Sequence, residues 1–88
     1  MNIVFNTLLS EVYFVNERIA TGDIVSAKFA LPQVRKLIDH YVHEMAEDGL
    51  KKIDVSPYIA AGGAVGVMYS FEENGQPKEG SVVPRRHQ

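Results

Sequence analysis

The apolar residues of this chain change their spacing once, near Ala64, and that switch limits what the chain can fold into. Over residues 3–20, Val4, Leu8, Val12, Val15 and Ile19 recur at intervals of three and four, with Phe5 and Leu9 beside them. This is the spacing of one helix face. After Ala64, Val65, Val67, Tyr69 and Phe71 alternate with Gly66, Met68 and Ser70, the period of a strand rich in β-branched and aromatic residues. Helices in the first half and strands in the second predict an α+β domain, an N-terminal helical hairpin packed on a C-terminal antiparallel β-meander.

Between the first two helical segments "TGD" at 21–23 breaks the pattern, with Gly22 as a stop and Asp23 as N-cap of the second segment. That segment runs from Ile24 to Asp48. Its stripe is Val34, Leu37, Ile38, Tyr41, Val42 and Met45, and Ile24, Ala27, Ala30 and Leu31 project in phase with it. Pro32 admits two outcomes, one kinked helix or a break with a new helix starting at the proline. The preference of proline for a first helical position favours the break. Gly49 ends the segment.

The stretch "YIAAGGAVGVMYSF", Tyr58 to Phe71, carries no charge and holds three glycines. It is shorter than the ~20 residues a membrane-spanning helix needs. Ser56 and Pro57 form a helix-start signal, yet Gly62, Gly63 and Gly66 would each cost a helix interior roughly 1 kcal/mol. Strands are therefore favoured, with Gly62-Gly63 as a two-residue hairpin turn pairing Ala60 with Val65 and Tyr58 with Val67. Asn74-Gly75 predicts a second turn that returns Ser81–Pro84 along the central strand. In this register both sheet faces are apolar: Tyr58, Val65, Val67, Tyr69 and Phe71 on one, Ile53, Val55, Ile59 and Met68 on the other. Two helices cover one face only, so the register implies self-association.

Eighty-eight residues, 45% of them hydrophobic and 23% charged, make a single small globular domain, assigned to residues 1–84 with a short basic tail at 85–88. A chain of this size is marginally stable, and association often supplements it. The N-terminal run has no basic leader and carries Glu11 within its apolar part, so it reads as helix and not as an export signal. The absence of cysteine removes disulfides, thiolate metal sites and cysteine nucleophiles, and suits a cytoplasmic location. A net charge of −2 does not supply the basic face that nucleic-acid binding requires. "GGAVG" at 62–66 lacks the order of a nucleotide-binding glycine loop. His40, His43, Glu44 and Glu47 match no metal-ligand spacing and lie opposite the apolar stripe with Lys36, as a solvated face does. No serine sits in a nucleophile elbow. No enzyme, cofactor or metal is expected.

What remains is surface. Ile3 and Phe14 on the first helix, and Val25 and Phe29 on the second, fall off the core stripes, and Tyr69 is a further aromatic anchor, with Tyr13 and Tyr58 in reserve. The expected function is that of a small non-catalytic protein that binds and blocks, or scaffolds, another protein, itself a homo-oligomer. The alternative is a binder of a phosphate- or nucleotide-bearing small molecule. It would use a pocket between subunits formed by Tyr58, Gly62, Gly63, Lys51, Lys52, Arg85 and Arg86.

Overall fold

A computed structural model describes the backbone of residues 3–85 and the side chains of residues 4–85. Helix α1 spans Ile3–Ala20 and helix α2 Ile24–Glu47. Strands β1 (Lys51–Ile59), β2 (Val65–Glu73) and β3 (Gln76–Val82) form one antiparallel sheet in the order β1-β2-β3. The helical hairpin precedes the meander, as the change of period predicts.

The hairpin is set by local chemistry. At the end of α1, the Asp23 N–H bonds the Arg18 carbonyl at 2.8 Å and the Gly22 N–H bonds that of Ile19 at 3.1 Å. That pair of bonds is a Schellman closure, with Gly22 at φ +81°. Asp23 then caps α2, its carboxylate accepting the Ser26 N–H at 3.1 Å. Bonds from the Ser26 side chain, and then from its backbone, hold the Asp23 carboxyl below the usual carboxylate range. The same closure ends α2, where Leu50 bonds Met45 and Gly49 bonds Ala46.

Two expectations are corrected here. Helix α2 does not break at Pro32; it runs unbroken through it. The ring removes the donor that would have bonded the Lys28 carbonyl, but Lys28 and Pro32 are both exposed, so water can replace that bond. Burial of Ala27 before the proline, and of Val34 and Ile38 after it, holds both halves on one core. Ile24 and Leu31, in phase with the stripe, are nevertheless 47% and 39% exposed.

The first hairpin also differs. Ala60 and Ala64 close its loop, the Ala60 N–H bonding the Ala64 carbonyl at 2.7 Å, and Gly62 and Gly63 both take positive φ inside it. The pairs are Ile59 with Val65, Tyr58 with Gly66 and Pro57 with Val67, one residue off the expected register. A two-residue turn would have turned Asp54 inward and Val55 outward. The longer loop places Val55 beside Tyr69 on the helix-facing side and Asp54 beside Ser70 on the other. Asn74-Gly75 does form the second turn, linking Glu73 to Gln76, and Val82 returns opposite Val67.

The core lies between the hairpin and one sheet face: Leu8, Val12 and Val15 from α1, Ala27, Val34, Ile38 and Met45 from α2, and Val55, Val65 and Val67 from the sheet. Ile53 packs against it too. The outer sheet face presents Asp54, Ser56, Ser70, Glu72, Glu79 and Ser81 around Tyr58 and Met68. The expectation of two apolar faces is thus overturned by the one-residue shift, and with it the inference of self-association drawn from the sheet. That face is polar, as in most antiparallel sheets open to water.

Candidate functional site

The apolar residues without a place in the core lie mainly on the helices. Phe14 is 57% exposed on α1, and on α2 Val25 and Phe29 are 66% and 80% exposed. Their positions follow from the stripes: each projects away from the side of its helix that holds Leu8 and Val12, or Ala27 and Val34. Val25, Phe29 and Pro32, at spacings of four and three, make one exposed row along the first half of α2. Phe14 lies eight residues before Gly22 and Phe29 seven after it, so both stand at one level of the hairpin, roughly 11 Å from its turn. Ile3 opens α1; its side chain is outside the described residues.

Tyr69 does not belong to this surface. It is half-buried on the helix-facing side of β2, edge-on to Phe5 with ring centroids 6.0 Å apart and stacked with Phe71 at 6.3 Å. Its ring covers Gly80 on β3, where any side chain would collide with it. The sequence groups Tyr69 on one face with Val65 and Val67, as here, but its expected role as an exposed anchor is overturned by this packing. The packing of Phe5 and Tyr41 over it, with those two rings stacked at 4.7 Å, is a tertiary matter.

Charge along α2 is segregated. Residues 24–36 hold Lys28, Arg35 and Lys36 and no acid; residues 37–48 hold Asp39, Glu44, Glu47 and Asp48 and no lysine or arginine. There is no acid in the first turn and no base in the last. This is the reverse of what the helix macrodipole favours, so the arrangement weakens the isolated helix. Local helix stability does not account for it.

The residues expected to grip an anionic ligand are scattered. Gly62 and Arg85 meet in a cleft of about 420 Å³ lined also by Asn16, Glu17, Ile19 and Thr21. Lys51 and Lys52 lie at the other end of β1, roughly 25 Å away along nine residues of strand, and Lys52 is paired with Glu72 at 3.2 Å. Tyr58 lies across Gly66 on the outer sheet face. Gly63 sits exposed in the loop, and Arg86 lies outside the described residues. The cleft stands at the carboxyl end of α1, where the dipole disfavours anions, and Glu17 lines it. It does not have the electrostatics of a phosphate site. Among the described residues, no three His, Asp or Glu side chains converge on a metal position, and no helix is long and apolar enough to cross a membrane.

Sequence reasoning passes over one buried polar residue. Asn16, 4% exposed, lies beside the α1 stripe and bonds the backbone of Val65 and Pro84. A polar side chain flanked by Val12, Val15 and Ile19 is the available signal. Its bonds are all internal, so it shapes the cleft without offering it a free donor.

Comparison with protein-family models, with curated proteins and with solved structures finds no match to this chain.

Proposed function

We propose that this is a non-catalytic interaction protein that binds a partner protein through its helical layer, blocking or scaffolding it. Phe14, Val25 and Phe29 serve as the contacts. The observation that carries this reading is the contrast between the two layers. Phe14, Val25 and Phe29 stand exposed on the helices, whereas the sheet's open face is mainly polar, with Met68 on it and Ile59 at the end of β1 as its exposed apolar exceptions. Aromatic residues are enriched at protein-binding surfaces and among their anchors. The absence of cysteine suits a reducing compartment, and we place the protein in the cytoplasm.

The test is gentle purification of tagged protein from its host followed by native mass spectrometry, with two variants. Phe14→Asp is expected to lose the added partner mass while keeping the thermal transition of the parent protein. Met68→Asp, on the outer sheet face where Met68 is 45% exposed, is expected to keep it. The reverse pattern would move the binding surface to the sheet and sink the proposal.

A further inference from the structure

The outward side of α2 is complementary in charge to its own reverse, basic in the first half and acidic in the second. Along it a stripe runs through Val25, Phe29, Pro32 and Lys36 in its first half and through Asp39, His43 and Ala46 in its second, all exposed. The spacings alternate four and three, as along any helix face, with apolar residues toward the ends and Lys36, Asp39 and His43 between them. We infer that this protein forms a two-fold dimer in which α2 packs antiparallel against α2 of a second copy, centred between Leu37 and Ile38.

That centre maps the stripe from Phe29 to Ala46 onto itself and leaves Val25 beyond the end of the partner's α2. Phe29 faces the partner's Ala46, a large residue against a small one, and Pro32 faces the partner's His43. Lys36 meets the partner's Asp39. Lys28 and the partner's Glu47 share a level on opposite flanks of the seam, where their charges attract without pairing. Each of these juxtapositions occurs twice, as a two-fold axis requires. Charge segregation along α2, unfavourable within one helix, becomes favourable when the basic half of one copy lies on the acidic half of the other, and the two macrodipoles then oppose.

This inference rests on the interaction reading and narrows it: Phe29 serves the second copy, and Phe14, with Val25, is left for a foreign partner. Charge reversal tests it on the full chain. Lys28→Glu with Lys36→Glu makes α2 wholly acidic apart from Arg35, and Asp39→Lys with Glu47→Lys makes it predominantly basic. Sedimentation equilibrium at about 100 μM in low salt should give a dimer for the parent protein and a dissociation constant raised by about 100-fold or more for each variant alone. An equimolar mixture of the two should recover the dimer mass, because the acidic α2 of one variant then lies on the basic α2 of the other. Phe14→Asp should dimerise as the parent does. A monomeric parent, variants that dimerise unaided, or a mixture that stays monomeric would each overturn the inference. If the dimer forms as described but Phe14→Asp retains the foreign partner, the proposed function fails and the dimer stands.

Discussion

Asn16 pairs with both backbone groups of Val65: its amide oxygen accepts the Val65 N–H at 2.7 Å and its amide nitrogen donates to the Val65 carbonyl at 2.9 Å. The same nitrogen donates to the Pro84 carbonyl at 2.6 Å. Pairing of β2 with β3 ends at Val67 and Val82, so beyond that point the side chain of a helix continues the ladder that a strand would have supplied. One residue thereby fixes α1 on the sheet and holds the chain that leaves β3. Among the described residues no buried side-chain polar atom lacks a partner.

Asn16→Leu should therefore be costly although it buries more apolar surface. It strips partners from three backbone groups, and an orphaned buried group costs roughly 1–3 kcal/mol. With partial relaxation the expected loss is about 2–4 kcal/mol, read as a lower midpoint in urea at unchanged slope. A change under about 0.5 kcal/mol would show that water satisfies these groups equally well.

How far the fold is legible in the sequence depends on which residues act locally. The bounds of α1 and the cap of α2 are readable because the Val12 stripe, Gly22 and Asp23 act within a few residues of themselves. Phe14, Val25 and Phe29 are readable as exposed for the same reason: helical phase alone places them. Pro32 misleads because its local preference for a helix start is outweighed by burial of Ala27 and Val34 on either side of it. The sheet register misleads because Gly62-Gly63 suits more than one loop length. The choice is made by which faces Val55 and Asp54 must occupy, a property of the assembled sheet. Lys51 and Arg85 group together by charge, but strand geometry holds them apart.

Tyr58 and Gly66 form a pair of their own. They are direct cross-strand partners, and the ring lies so close to Gly66 that an added methyl would stand 2.6 Å from it. Gly66→Ala should displace the Tyr58 ring and destabilise the domain by about 1 kcal/mol, since the ring is free to swing into solvent. In a double-mutant cycle with Tyr58→Ala, the combined loss should fall short of the sum by at least about 0.5 kcal/mol. Strict additivity would mean that the ring and the glycine do not interact in solution.

Pro32 offers the opposite sign. Alanine there restores a donor to the Lys28 carbonyl and relieves ring crowding in the helix, both of which proline denies. Pro32→Ala should raise stability by about 1–3 kcal/mol, near the helix-interior difference between the two residues. It should also raise the melting temperature measured at fixed protein concentration. An unchanged or lower melting temperature would show that the ring's own contacts outweigh the missing bond.

Tyr41 sets the behaviour in alkali. It is half-buried, its ring stacked on Phe5, and burial, followed by the nearby Tyr69 phenol, pushes its hydroxyl above the ordinary value of 10.0. A group whose pKa is raised by folding favours the folded state below its unfolded pKa and loses that advantage as pH climbs through the folded one. Above pH 10 the unfolded chain releases the Tyr41 proton while the folded chain still holds it, so each step in pH then lowers stability. Urea midpoints taken from neutral pH to beyond 10 should be flat with respect to this group at first and then fall. Tyr41→Phe keeps the stacked ring and removes the proton, so its midpoints should fall less steeply over the same alkaline range. Parallel curves for the two proteins would mean that Tyr41 titrates as freely in the folded chain as in the unfolded one.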